Sequence, residues 1–275
     1  MKIGLALGGG SARGLAHIPM LEAFDELGLK PAMIAGCSIG ALVGAGYASG
    51  MSGKDIRDHA TRLLSNRIEM ARHVFGARQT RLRDILSLKG LMSLHLSGEK
   101  LVEVVLPEAV PQRLEDLKIP LKVIATNYDD MEEVVFTTGP VIQAVGASIA
   151  IPGLIAGPRI NGKIHVDGGV KNPVPFNHVL DGMDMVVAVD VTGRPKPVSR
   201  AHPSNIELAV GSLLITFNQL AELRRQQAPP DIYIVPEIDQ FGAGDFFKVK
   251  DIFAACEPAK DRLKKELEIK IKSIS

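Results

Sequence analysis

Short apolar runs alternate with segments of helical spacing from the beginning of the chain. Residues 2–7 form an apolar run that predicts a strand, and residues 12–27 have the apolar spacing of a helix that Gly28 ends. Residues 33–36 and 39–48 then repeat the strand and helix. This order predicts an α/β fold with a mainly parallel central sheet flanked by helices.

Apolar runs typical of strands and apolar spacing typical of helices continue to alternate through the rest of the chain. Ser52 is expected to cap a helix, and two β-branched runs on either side of the polar turn NYDDM predict neighbouring strands in a hairpin-like arrangement. The further predicted elements are helices over residues 54–64, 141–148, 206–226 and 249–272, and strands over 121–126, 133–137, 185–191 and 232–235 and within KIHVDGG. Without a repeat, low-complexity tract or linker, the sequence predicts one domain over residues 1–275.

Composition and charge narrow the class of protein. The chain has 275 residues, 46% of them apolar and 23% charged, which is enough for a sizeable core. Its net charge of +1 does not favour nucleic acid as a partner. Residues 31–50 are apolar over the length of a membrane span, but their glycines and Pro31 favour a strand, a sharp turn and a helix. With only Cys37 and Cys256, the chain fits a reducing, cytoplasmic compartment.

The stretch LALGGGSARG, residues 5–14, indicates a site for negative charge. Glycines after a strand let backbone N–H groups approach a ligand, and the start of a helix adds partial positive charge. The anion is either a nucleotide phosphate or an oxyanion that forms during a reaction. The nucleotide interpretation fits poorly, because a dinucleotide fingerprint starting at Gly8 meets Arg13 where its last glycine belongs, and no G-K-[ST] follows.

The sequence GCSIG, residues 36–40, matches the G-x-S-x-G pattern between a predicted strand and a predicted helix. Ser38 is therefore the candidate nucleophile, and Gly36 and Gly40 permit the sharp turn. A tight turn with a capping serine is the structural alternative. Cys37 is expected to point into the sheet as a core residue.

Asp167 is the candidate base. None of the seven histidines has a triad-like setting in the sequence. Asp167 lies in VDGG at the end of a predicted strand, where Gly168 and Gly169 allow a close approach. An aspartate before two glycines is more often a turn residue, so it is the combination with the two other loops that makes Asp167 a candidate.

Four blocks in this order carry a family resemblance: GGGSARGLAHIPML, GCSIGAL, ASIAIPGLI and VDGGVKNPVP. Together they resemble the bacterial patatin-like phospholipases, which use a Ser–Asp dyad. The resemblance implies that Ser38 is the nucleophile, that Asp167 is the base, and that the backbone amides of Gly9, Gly10 and Ser11 form the oxyanion hole. It also implies a reaction without metal, cofactor or catalytic histidine.

The implied activity is hydrolysis of a carboxylic ester, namely a phospholipid or lysophospholipid acyl ester. Ser11 departs from the family pattern, because most bacterial members have a fourth glycine at this position. The alternative is therefore a catalytically weak or silent lipid-binding or regulatory protein on the same fold. Arg13 is expected either to contact the glycine loop or a lipid phosphate, or to form a structural salt bridge.

A basic segment indicates how a nearly neutral protein could reach a lipid surface. Residues 67–89 contain six basic and two acidic side chains, and leucines are frequent over residues 82–96. Basic residues beside apolar ones suit peripheral contact with an anionic membrane. The alternative is that this segment is a solvated face over buried leucines. The sequence does not predict an oligomeric state.

Overall fold

An eight-stranded sheet lies at the centre of the computed structural model, which describes residues 1–65, 97–194 and 204–274. The strands are β1 (Ile3–Leu7), β2 (Met33–Cys37), β3 (Leu121–Asn127), β4 (Glu132–Phe136), β5 (Arg159–Ile160), β6 (Lys163–Asp167), β7 (Met185–Val189) and β8 (Ile232–Ile234). Their order is β5-β6-β3-β2-β1-β7-β8, and β4 also pairs with β3. Pairing is parallel from β3 through β2, β1 and β7 to β8, which confirms the mainly parallel sheet.

Helices surround this sheet, in agreement with the predicted fold class. Those in the described residues are α1 (His17–Glu26), α2 (Ile39–Ala48), α3 (Gly53–Ser65), α4 (Gly98–Val105), α5 (Val141–Ser148), α6 (Asn205–Gln227) and α7 (Val249–Ile274). Buried side chains of β1, β2 and β7 join those of α1, α2 and α7 in one continuous apolar core.

The edge of β3 brings two strand ends together. Its residues 123–127 pair along one edge with β4, and the other edge pairs first with β2, where Ile124 faces Cys37. The same edge then pairs with β6, where Ala125 faces Asp167. The C-terminal ends of β2 and β6 therefore meet at neighbouring positions along β3, which brings Ser38 and Asp167 to the same part of the sheet.

Most predicted elements are present with their ends shifted by one or two residues. The predicted helix over residues 12–27 differs, because it begins as a 3-10 segment, Ser11–Ala16, before α1. Two elements, α4 and the short β5, were not predicted. The basic segment at residues 67–96 lies outside the described residues.

Residues 31–50 form β2 and α2 and do not form one continuous helix. Within the described ranges, every helix is too short or too polar to span a bilayer. Gly40 explains why α2 packs so closely on the sheet, because a Cβ at this position would lie 2.1 Å from the carbonyl oxygen of Leu7.

Candidate active site

Ser38 stands on a sharp turn between β2 and α2. Its backbone has φ 54° and ψ −125°, a conformation that L-residues rarely adopt. Gly36 permits this turn, since a Cβ there would lie 2.6 Å from the Cα of Ala41. The N-terminus of α2 begins at the next residue, so its partial positive charge lies beside the Ser38 hydroxyl.

Asp167 lies within hydrogen-bond distance of Ser38. The Ser38 hydroxyl donates to Asp167 Oδ2 at 2.6 Å, and the backbone N–H of Gly169 donates to Asp167 Oδ1 at 2.8 Å. Gly168 lets the chain pass close to β3, because a Cβ there would lie 2.2 Å from the carbonyl oxygen of Ile124. The two side chains that the sequence singled out are thus in direct contact.

Burial raises the pKa of Asp167. Its side chain is 1% exposed, and desolvation raises its pKa to about 6, although the hydrogen bonds from Ser38 and Gly169 oppose this rise. A carboxylate with a raised pKa accepts a proton more readily than an ordinary aspartate. Cys37, the other nucleophilic atom nearby, is fully buried, and desolvation raises the pKa of its thiol, so it behaves as a core residue.

The glycine loop after β1 lies against Ser38. A Cβ at Gly9 would be 3.2 Å from the Cβ of Ser38, and one at Gly10 would be 2.0 Å from the carbonyl oxygen of Val191. The Gly9 N–H already donates to the carbonyl of Pro173 at 2.8 Å. Within the described residues, the N–H groups of Gly10 and Ser11 have no hydrogen-bond acceptor, and both residues line the cavity at Ser38. These two loop amides are free to bind an oxyanion. Gly9, which has no side chain, instead lets the loop approach Ser38 closely.

Ser11 occupies a backbone conformation that favours glycine. Its φ is 52°, in the left-handed region. The side chain is partly buried and lines the same cavity as Ser38. The departure from a fourth glycine therefore falls at a position where glycine would relieve backbone strain.

Ser148, the last residue of α5, holds the turn at Ser38 in place. Its fully buried hydroxyl accepts a hydrogen bond from the Ser38 N–H at 2.7 Å and donates to the carbonyl of Ile124 at 2.5 Å. Ser148 lies in the block ASIAIPGLI, but the sequence alone predicted no role for it. The sequence signal for this role was that Ser148 lies in one of the four blocks that carry the family resemblance.

The described histidines do not contact Ser38. His17 is buried beneath the glycine loop, where its Nε2 is 2.7 Å from the carbonyl oxygen of Gly8, and burial lowers its pKa to about 4. A neutral ring whose Nε2–H donates to that carbonyl supports the loop. His59 contacts the carbonyl of Val105, and His178 pairs with Glu133.

Arg13 points away from the cavity. Its guanidinium is 1% exposed and donates to the carbonyl of Arg194 at 3.0 Å, and Asp190 and Asp239 are the acidic groups that act on it. It is absent from the residues that line the cavity at Ser38. This placement favours the structural role for Arg13 over contact with a lipid phosphate.

The cavity at Ser38 is small and covered by α6. Its volume is about 10 Å³, and Ser38 is 5% exposed. The apolar side chains that line it are Ile151, Val210, Leu213, Leu214 and Phe217. Phe217 packs on Gly169, where a Cβ would lie 2.4 Å from its ring. The dyad is therefore enclosed by apolar groups.

The part of the chain that contains this site is similar to known proteins. A family model described as patatin-like phospholipase matches residues 5–180 of the chain. This range includes the glycine loop, the turn at Ser38 and the Asp167 loop.

Individual relatives were also found. An uncharacterized NTE family protein from Mycobacterium tuberculosis is 34% identical over 207 residues, which are 74% of this chain and 53% of the relative. The chain thus spans about half the length of that relative. The protein named lysophospholipase NTE1 from Cryptococcus neoformans is 32% identical over 79% of this chain and 13% of the relative. Among solved structures, VipD from Legionella pneumophila has a TM-score of 0.45 and 16% identity, covering 95% of this chain and 66% of VipD.

Proposed function

This chain belongs to the patatin-like phospholipase family, and we propose that it hydrolyses the acyl esters of phospholipids or lysophospholipids. The observation that carries the proposal is the hydrogen bond of 2.6 Å from the Ser38 hydroxyl to Asp167. The apolar lining of the cavity suits an acyl chain. One similar protein is named a lysophospholipase, which supports the same class of substrate.

In the first half of the reaction, Asp167 takes the proton of Ser38 while Oγ attacks the ester carbonyl carbon. The N–H groups of Gly10 and Ser11 then donate to the oxyanion. Backbone donors of this kind stabilise a transition state by about 3 kcal/mol each. The tetrahedral intermediate collapses to an acyl-serine, and the proton on Asp167 passes to the departing alcohol or lysolipid.

In the second half, water replaces the alcohol. Asp167 takes a proton from water, the hydroxide oxygen attacks the acyl-serine, and the same amides bind the second oxyanion. When this intermediate collapses, the fatty acid leaves and the proton returns from Asp167 to Ser38 Oγ. The cycle uses only groups of this chain and one water molecule.

The nucleophile is tested by labelling with a fluorophosphonate and by hydrolysis of a soluble ester. Ser38→Ala should lose both reactions and remain folded. Ser49→Ala is the matched control, since Ser49 is also buried but its hydroxyl donates within α2 to the carbonyl of Gly46. Turnover retained in Ser38→Ala would remove the nucleophile assignment.

The base is tested in the same assay with Asp167→Asn, which keeps the shape and removes the proton acceptor. We expect kcat to fall by about a thousandfold. Asp190→Asn is the control, because Asp190 is another buried acid, whose hydrogen bonds run to Thr192 and Tyr233. Equal losses in both variants would show a general effect of removing a buried charge.

A lipid-binding protein without turnover is the second candidate function. The positive φ of Ser11 favours it, because a strained loop can misplace the oxyanion donors. If the wild-type protein binds lipid but resists the fluorophosphonate, this candidate replaces hydrolysis.

For location, we propose a reducing cytoplasmic compartment and peripheral contact with the inner face of the membrane. Both cysteines are free and buried, which supports a chain that folds without a disulfide. Fractionation of cells into cytosol and membrane at low and high salt tests this location.

A further inference from the structure

Helix α6 closes the candidate site with its inner face. Leu213, Leu214 and Phe217 line the cavity together with Ser38 and Asp167. A cavity of about 10 Å³ holds little more than one water molecule, whereas small-molecule sites usually measure at least about 300 Å³. An ester therefore needs a larger opening at Ser38 than this position of α6 provides.

The opposite face of α6 is also apolar, although it faces solvent. Leu208, Ile215 and Leu223 are 48%, 49% and 55% exposed. At 100° per residue, these three side chains lie on the side of the helix opposite Phe217. Between them, the exposed Ser212, Thr216 and Gln219 are polar but uncharged. Glu222, whose side chain is 42% exposed and pairs with Arg225, lies on the same side near Leu223, so the uncharged part of this face covers residues 208–219. A surface helix normally has a charged outer face, so residues 208–219 of α6 are suited to an apolar environment on both sides.

Three polar contacts of the described residues hold the C-terminal half of α6. Asn218 donates to the hydroxyl of Thr192 at 3.2 Å, Arg224 donates to the carbonyl of Lys171 at 3.0 Å, and the Arg225 guanidinium lies 5.3 Å from the ring centroid of Tyr233. Over residues 208–217, contact with the cavity is made by apolar side chains. Apolar packing can be exchanged for lipid without leaving a buried polar group unpaired.

We propose that the face formed by Leu208, Ile215 and Leu223 docks on a lipid surface, and that this docking displaces the N-terminal half of α6 and opens the cavity. The occupant is lipid because the face carries exposed aliphatic side chains, is uncharged over residues 208–219, and belongs to the helix that covers the proposed acyl-ester site. The inference therefore rests on the proposed function. The polar contacts at Asn218 and Arg224 keep the C-terminal half in place as a pivot.

The test compares Ile215→Glu with Ile269→Glu in the full chain. Ile269 lies on α7, is 57% exposed and has no contact with the cavity, so it is a matched control for adding a charge to an exposed isoleucine. Binding is measured by sedimentation with phosphatidylcholine vesicles. Turnover is measured on a short-chain phosphatidylcholine below and above its micelle concentration, and all variants are also sedimented without lipid.

We expect Ile215→Glu to weaken vesicle binding by about tenfold or more, because the isoleucine side chain gains from burial among acyl chains and a charged glutamate does not. The ratio of micellar to monomeric turnover should fall in Ile215→Glu and stay at the wild-type value in Ile269→Glu. If Ile215→Glu matches the wild type in vesicle binding and in this ratio, the docking surface is overturned, while turnover of the monomeric ester still supports hydrolysis.

Two other results separate docking from catalysis. Vesicle binding that depends on Ile215 but comes without turnover would support the docking surface and reject the proposed function. A wild-type oligomer that dissociates in Ile215→Glu without lipid would show that a second copy covers this face, and would overturn lipid docking.

Discussion

At the scale of single residues, the burial of Asp167 sets the pH range in which the dyad can act. Desolvation raises its pKa to about 6, and a base must be unprotonated to accept the proton of Ser38. We therefore expect kcat/KM for a soluble ester to rise with pH through about 6 and to reach a plateau above it. The measurement is a pH profile of kcat/KM in the wild-type protein.

His178→Gln and His59→Gln are the controls for this profile, since neither histidine contacts Ser38 in the structure. Both variants should keep the same inflection and turnover within a few fold. An inflection that disappears in a histidine variant would point to a histidine as the base and contradict the dyad.

Ser11→Gly is predicted to increase both stability and turnover. The backbone of Ser11 has φ 52°, a conformation that costs an L-residue about 1 kcal/mol and costs glycine almost nothing. With the strain removed, the N–H groups of Gly10 and Ser11 can meet the oxyanion in a relaxed loop. Thermal unfolding and kcat on a soluble ester measure the two effects.

Met131→Gly separates strain relief from catalysis. Met131 also has a positive φ, 57°, but it lies in the exposed turn between β3 and β4. This variant should change stability without changing turnover. If Ser11→Gly instead lowers kcat, the Ser11 hydroxyl supports the oxyanion site. The positive φ of Ser11 would then serve to place that hydroxyl.

The turns that carry Ser38 and Asp167 could be predicted because each stands in a local pattern. Ser38 follows a short apolar strand, Asp167 ends another short strand, and glycines lie beside both, so their turns could be inferred from neighbouring residues alone. The bond from the Gly9 N–H to Pro173 could not be predicted, because it joins residues far apart in the chain. The backbone angle of Ser11 was also hidden, since the sequence reveals the residue type but not φ.

At the scale of elements, the end of α5 meets the turn between β2 and α2 through one hydroxyl. Ser148→Ala would leave the Ser38 N–H without its acceptor. An unpaired buried donor costs about 1–3 kcal/mol, and the turn would relax to avoid this cost. We expect kcat to fall by about tenfold or more with little change in KM, because substrate binding does not use this hydrogen bond.

Rescue distinguishes positioning from general stability. Ser148→Thr keeps the hydroxyl and should recover much of the kcat lost in Ser148→Ala. Ser49→Ala removes another buried hydroxyl and should leave kcat near the wild-type value. A loss of stability in Ser148→Ala with unchanged kcat would show that Ser148 only supports packing.

The periodicity of the sequence was sufficient to predict most helices and strands, but it could not predict which of them pack against one another. Apolar spacing predicted α5 over residues 141–148 and α6 over residues 206–226, and both are present. It could not show that α6 covers the dyad, because both of its faces carry apolar residues and the pattern does not identify the buried side. The succession of β2 and β6 along one edge of β3 also depends on long-range pairing.

At the scale of the whole molecule, the sequence predicts a second contribution to lipid binding, from charge. The segment of residues 67–89 carries six basic and two acidic side chains, whereas the net charge of the chain is +1. Each basic residue near an anionic surface contributes about 1 kcal/mol at low salt, and screening weakens this attraction as salt rises. We expect the triple variant Arg78→Glu, Arg81→Glu and Arg83→Glu to lose the salt-sensitive part of its binding to anionic vesicles at low salt, measured by sedimentation against neutral vesicles.

The two contributions have different dependences on salt and lipid. Adsorption through Ile215 should occur on neutral and anionic vesicles and change little with salt, because it comes from apolar burial. Adsorption through the basic segment should require anionic lipid and decrease as salt rises. Combining Ile215→Glu with the three arginine substitutions should therefore remove both components. If the triple variant binds anionic vesicles as the wild type does, or neither binds at low salt, residues 67–96 belong to ordinary packing and have no role at the membrane.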